Sequence, residues 1–216
     1  MVTFRRKNIR LPRACYIGQQ WYLLTACTQD RIPRLAESRI VNQHLGILRE
    51  EAHNEGFAIQ AYCFMPDHLH LLVNGTRETS DCLAFINGFK QSSAYDFKQT
   101  TEERLWQHKP FDHILRSAEH WEPVAWYIWM NPVRKGLCAR PQDWPFSGSE
   151  TLDWKRLVVP LKQLWIPPWK KAGVEPGFSP ARAALKSGAT FKLAQHPRGQ
   201  SLMASGGLRM SSTKAG

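Results

Sequence analysis

The sequence predicts an α+β domain: a ferredoxin-like antiparallel sheet with helices on one face, in the order β-α-β-β-α-β-α. Three observations predict it. Short runs rich in aromatic and aliphatic residues at 20–28, 57–65 and 68–74 have the composition of strands. Two longer stretches, 36–55 and 80–99, carry apolar residues at helical spacing. The second and third strands are separated only by Pro66-Asp67, which reads as a tight turn.

Each element follows from its own residues. The stretch 36–55 is a helix because Ile40, Leu45, Leu48 and Ala52 recur on one side, and Gly56 stops it. The second helix, 80–99, has Ser80 or Asp81 as its cap and Leu83, Ile86, Phe89 and Lys90 along one side. A last strand is expected over 106–115. A short third helix over 118–130 would bury Trp121, Ala125, Ile128 and Trp129. Pro132 favours extended backbone at Asn131, so that helix should end there.

The 216 residues suit one domain of about 140 residues plus a tail. Residues 1–14 form a basic arm, 15–149 the domain, and 150–216 a basic tail containing Pro, Gly and Ser. Within the tail, 154–171 has apolar clusters broken by prolines and can pack along the domain or cover a ligand. From Gly173 onward the composition cannot bury enough apolar area to order itself. The formal charge is +11 and it is uneven. Residues 1–150 hold 18 basic and 16 acidic side chains, whereas 151–216 hold 11 basic and 2 acidic. Arg5, Arg6, Lys7, Arg10 and Arg13 all precede the first acidic residue, Asp30. Basic ends of this kind serve solubility, or track a polyanion and release its counterions. The five cysteines form no Cys-x-x-Cys pair and read as reduced thiols. No apolar run approaches the roughly 20 residues that span a bilayer. The basic N-terminus lacks an apolar signal core, so the expected location is the cytoplasm, away from membranes.

Two short segments carry chemistry. In Ala61 to Val73, a His-x-His pair sits among apolar residues, and strand side chains alternate faces, so His68 and His70 point the same way. Two imidazoles side by side are either a hydrogen-bonded structural pair or two-thirds of a divalent metal site. Cys63 and His68 differ by five residues and would face opposite sides of a continuous strand, which argues against a zinc site joining them. Further on, Tyr127 and Asn131 are four apart and share a helix face. A phenol can attack a phosphodiester and hold it as an ester, a metal can polarise the phosphate, and an amide oxygen can be a third ligand.

These segments resemble the single-tyrosine HUH transposases, and within them the REP-associated tyrosine transposase branch. The resemblance runs from about Cys15 to Ser149 and rests on an ordered set of motifs. They are Pro66-Asp67-His68-Leu69-His70-Leu71-Leu72-Val73, Leu105-Trp106-Gln107, Tyr127-Ile128, Asn131-Pro132-Val133-Arg134-Lys135-Gly136-Leu137 and Asp143-Trp144-Pro145-Phe146-Ser147. The resemblance implies that His68 and His70 bind the metal, that Asn131 completes its site and that Tyr127 is the nucleophile. It implies a metal-dependent single-stranded DNA endonuclease and strand-transferase that acts near DNA hairpins through a 5′-phosphotyrosine. Two nitrogens and one amide oxygen leave positions open for phosphate and water, which favours Mg²⁺ or Mn²⁺. A domesticated hairpin-binding protein without cleavage is the alternative; the chain would act as monomer or homodimer.

Further residues are candidates for DNA contact. Arg5, Arg6, Arg10 and Arg13 lie in the arm, Arg116 follows the last strand, and Arg134 and Lys135 follow Asn131-Pro132. His108, His113 and His120 read as ordinary surface histidines, with DNA contact as the other possibility. The tryptophans at 106, 121, 126 and 129 read as core, with room for one or two stacked on an unpaired base.

Overall fold

The computed structural model describes residues 11–108, 110–115, 119–157 and 165–168. Nine regular elements matter: β1 (Trp21–Cys27), α1 (Ser38–Glu55), β2 (Phe57–Met65), β3 (His68–Gly75), α2 (Cys82–Lys98), β4 (Phe111–Ile114), α3 (Trp121–Trp129), α4 (Asn131–Arg134) and β5 (Ser147–Gly148). The sheet order is β4-β1-β3-β2-β5 and every pairing is antiparallel. Its first four strands reproduce the expected ferredoxin-like order, with the histidine strand β3 in the middle. Strand β5 extends the sheet beyond β2.

Side-chain alternation divides the core in two. Tyr22, Leu24, Ala26, Ile59, Leu69, Leu71 and Val73 face α1 and α2. Leu23, Ala61, Cys63, Met65 and Leu72 face α3 on the other side, with Val124, Ala125, Ile128 and Trp129. The first two helices therefore share one face, and the tyrosine-bearing helix crosses the face that presents the histidines.

Local chemistry sets the boundaries. Helix α1 ends at Gly56, whose φ of +70° is a left-handed cap that other residues adopt at a cost. Its buried stripe is Val41, His44, Leu45, Leu48 and Ala52, with Ile40 only partly buried. Asp81, rather than Ser80, caps α2: its Oδ1 accepts from the Leu83 and Ala84 N–H groups at 2.9 and 3.1 Å. Ser80 is buried and donates to the Gly56 carbonyl at 2.6 Å. Lys90 leaves the expected stripe and donates to the Gln107 and His108 carbonyls.

Two motifs prove to be latches. The last strand begins later than 106, at Phe111, while Trp106 makes an isolated bridge with Thr28. Around it the Gln29 N–H donates to Leu105 O, the Gln107 N–H to Cys27 O, and the buried Trp106 indole to Ser93 Oγ. The segment from Trp144 to Ser147 closes the other edge. Trp144 Nε1 donates to Phe64 O at 2.9 Å, and the Phe64 N–H donates to Phe146 O. Gly148 is required there, because a Cβ would stand 2.3 Å from the Tyr62 ring. Beyond it Trp154 is buried, stacked on Trp129 with centroids 4.8 Å apart. Among the described residues no helix is long and apolar enough to cross a membrane.

Candidate active site on the β3 face

Both histidines are held by their δ-nitrogens. His68 Nδ1 lies 2.6 Å from Asp67 Oδ1, and His70 Nδ1 lies 2.9 Å from the Thr25 hydroxyl. Thr25 is the cross-strand partner of His70 on β1, and Asp67 ends the two-residue turn between β2 and β3. These anchors turn the two ε-nitrogens toward each other at 3.0 Å, with the rings nearly perpendicular. Burial lowers the pKa of His68 and outweighs the opposing pull of Asp67, so the ring is neutral near pH 7. A carboxylate at Nδ1 keeps the proton there and leaves the Nε2 lone pair outward. Burial disfavours the Asp67 carboxylate, but the His68 hydrogen bond and the nearby charges, Arg31 at 3.1 Å among them, hold its pKa below the usual range.

This pair fits a divalent cation. Two nitrogens bound at about 2.1 Å and at right angles stand about 3.0 Å apart. Among the described residues no group of three or more His, Cys, Asp or Glu side chains could hold a metal ion. Cys63 differs from expectation: register pairs it directly with His70, so it lies on the histidine face. The strand turns back at Pro66-Asp67, and the parity of a continuous strand does not carry through a hairpin. Cys63 is nevertheless fully buried, its Sγ lies 3.7 Å from Met65 Sδ, and burial pushes its thiol up to about 12. That thiol is no ready zinc ligand.

Tyr127 and Asn131 meet at the junction of α3 and α4. Asn131 is not extended, as Pro132 suggested, but begins α4, with the proline in the first turn. Pro132 has no N–H to offer the Ile128 carbonyl. The Asn131 amide replaces it: Nδ2 donates to Ile128 O at 3.0 Å and to Tyr127 O at 3.1 Å. Arg134 Nη2 donates to Tyr127 O and to Asn131 Oδ1, both at 2.7 Å. Its guanidinium carbon lies 4.3 Å from the centre of the Tyr127 ring. Trp165 meets the same ring edge-on at 5.1 Å. Burial raises the Tyr127 phenol pKa against the lowering influence of Arg134. The junction lies near the histidines: the Lys135 charge acts on His68, and that of Arg134 on Cys63, the cross-strand neighbour of His70.

The sequence of this face matches the transposase family described as IS200-like over residues 17–126, half of the chain and both histidines included. The chain belongs to the IS200-like transposases. Tyr127 and Asn131 lie just beyond the matched range. A putative REP-associated tyrosine transposase of Haemophilus influenzae is 25% identical over 59% of this chain and 78% of its own. The REP-associated tyrosine transposase of Escherichia coli is 24% identical over 66% of this chain and 88% of its own. A solved structure of a REP-associated tyrosine transposase bound to a REP hairpin shares the fold, with a TM-score of 0.53 and 21% identity over 68% of this chain and 82% of that one. Both curated relatives carry the name of the branch that the motifs resemble.

Other expected site residues of this transposase are distributed unevenly. Arg5, Arg6, Arg10 and Arg116 lie outside the described residues, as does nearly all of the tail. Arg13 pairs with Asp81 at the α2 cap. Lys135 is exposed near His68. Arg134 is exposed, and its guanidinium packs against Tyr127. His113 is not a surface histidine: it is buried and its Nε2 meets both Glu119 oxygens at 3.0 and 3.1 Å. Trp106, Trp126 and Trp129 are core, and Trp121 stacks on Trp21 at 5.6 Å. Sequence reasoning missed Thr25, Asp67 and Trp165. Asp67 was within reach, because a carboxylate beside a metal-type histidine often orients it. Thr25 becomes visible only through strand register.

Proposed function

We propose that the chain is a metal-dependent single-stranded DNA nickase and strand-transferase that acts beside DNA hairpins. The observation that carries this reading is the 3.0 Å convergence of His68 and His70 Nε2 beneath the helix junction that bears Tyr127. His68 Nε2, His70 Nε2 and Asn131 Oδ1 would hold Mg²⁺ or Mn²⁺. When bound, the cation supplies Lewis-acid polarisation of the scissile phosphate.

The protein's own groups do the rest. The Tyr127 oxygen attacks phosphorus and loses its proton to solvent. The new bond joins the phenol oxygen to phosphorus; the bond that breaks joins phosphorus to the 3′ oxygen, which leaves as a hydroxyl after taking a proton from water. The product is a 5′-phosphotyrosine, and attack by another 3′-hydroxyl reverses the step and transfers the strand. Lys135, exposed near His68, is placed to meet a flanking phosphate. Hairpin recognition belongs to the folded part, and the basic ends add sequence-independent affinity.

The test uses an end-labelled hairpin oligonucleotide with single-stranded flanks, incubated with the protein and Mg²⁺ or Mn²⁺. Cleavage that stops on chelation and leaves protein on the 5′ fragment supports the reading. Hairpin binding with no cleavage in either metal would replace it with a non-cleaving binder.

A further inference from the structure

We propose that Arg134 is the positioning residue of this site: it fixes Tyr127 and Asn131 relative to each other, and its charge is not there to grip a DNA phosphate. The proposal rests on the roles given above to those two residues. One guanidinium makes several contacts at once, a hydrogen bond to the Tyr127 side chain among them. Nη2 donates at 2.7 Å to the Tyr127 carbonyl and at 2.7 Å to Asn131 Oδ1, while the guanidinium carbon lies over the Tyr127 ring, 4.3 Å from its centre. A guanidinium offers five donors in a fixed fork and can lie over a ring while it donates, whereas an ammonium is a compact point charge.

The same network decides which way the Asn131 amide points. Its nitrogen faces two carbonyl oxygens, Tyr127 O and Ile128 O, and its oxygen faces a guanidinium N–H. A flipped amide would set oxygen against two carbonyls and NH₂ against a cation, so the orientation is fixed by chemistry. Arg134 occupies one lone pair of Oδ1 and leaves the other for an outside partner. In this way Arg134 ties the backbone of the nucleophile, the ring of the nucleophile and the neutral oxygen ligand into one rigid unit. Groups of this kind around a metal ligand are worth about 10- to 100-fold in metal affinity or rate.

Two other roles predict different behaviour. A helix-end cation would affect stability alone. A phosphate contact would affect DNA affinity and would be served by lysine. The test compares wild type with Arg134→Gln, Arg134→Lys, Asn131→Ala and the Arg134→Gln/Asn131→Ala double variant. Four readouts are taken: thermal melting, affinity for a labelled hairpin oligonucleotide in EDTA, binding of Mn²⁺ alone followed by electron paramagnetic resonance, and single-turnover formation of the protein–DNA adduct.

The expected pattern is specific. Both Arg134 variants keep hairpin affinity within about twofold, bind Mn²⁺ about 10- to 100-fold more weakly, and form adduct slower by a similar factor. Lysine rescues neither property, and the double variant binds Mn²⁺ no more weakly than Asn131→Ala. Should Arg134→Gln melt below the assay temperature, Arg134→Lys carries the same comparison. Recovery of adduct rate by lysine, or lost hairpin affinity with unchanged Mn²⁺ binding, overturns the proposal. If Asn131→Ala weakens Mn²⁺ binding and Arg134→Gln does not, the proposal fails while the reading of the site stands. If wild type neither binds Mn²⁺ nor forms adduct, that reading fails and the proposal with it.

Discussion

The ε-nitrogens of His68 and His70 stand 3.0 Å apart because Asp67 and Thr25 hold the two δ-nitrogens from behind. Their separation matches two cis ligands of one small cation.

His68→Ala and His70→Ala should each abolish cleavage in Mg²⁺, and excess Mn²⁺ should partly rescue the single variants, since Mn²⁺ accepts nitrogen ligands more readily. Asp67→Asn should weaken Mn²⁺ binding by about 10-fold or more, because the replacement no longer fixes the proton on His68 Nδ1. Titration of Mn²⁺ against each variant measures this. Cleavage that persists in EDTA would contradict the metal role.

Acid should destabilise the fold through His44. This residue on α1 is 1% exposed, and burial pushes its pKa down to about 4 from the ordinary 6.5. The folded state excludes the proton that the unfolded chain binds, so stability is full above pH 6.5 and is lost as pH falls toward 4. The total loss is about 3–4 kcal/mol, from about 1.4 kcal/mol per pKa unit. His44→Leu should flatten the stability profile across that window in urea titrations. An unchanged acid slope would place the proton uptake elsewhere.

The folding unit should extend past the stretch that identifies the family. Trp154 is 4% exposed and stacks on Trp129, 28 residues beyond the end of the matched range. Trp154→Ala should cost about 3–5 kcal/mol of unfolding free energy by denaturant titration. A cost within experimental error of zero would mean that the 150–157 segment only lies on the surface.

The basic tail should supply affinity without selectivity. Residues 151–216 carry 11 basic and 2 acidic side chains. Removing 173–216 should leave the melting temperature nearly unchanged and weaken all single strands alike. The slope of log affinity against log salt should become shallower by about 0.7 per lost phosphate contact. Loss of hairpin preference at constant slope would make the tail a reading element.

Much of this architecture was legible because it is local. Gly56 announces the end of α1, Pro66-Asp67 the hairpin, and His-x-His its shared face. What escaped depends on distant partners. Strand β5 has two residues and exists through its pairing with Tyr62 and Cys63. The helical state of Asn131 defies the proline rule because its own side chain takes the carbonyl that Pro132 leaves free. The side of Cys63 depends on the turn, and the packing of the exposed Arg134 on an aromatic ring seven residues earlier. Trp106 and Trp144, quoted as family signatures, proved to be anchors of the sheet edges.

The central claim is that Tyr127 is the nucleophile, and mapping the covalent adduct tests it most directly. Wild-type protein is trapped on single-stranded hairpin DNA with Mn²⁺, digested with nuclease and protease, and sequenced by mass spectrometry. The account predicts a nucleotide phosphate on Tyr127, and no adduct in Tyr127→Phe, whose hairpin affinity stays close to wild type. A phosphate on any other residue, or adduct formation by Tyr127→Phe, would contradict it.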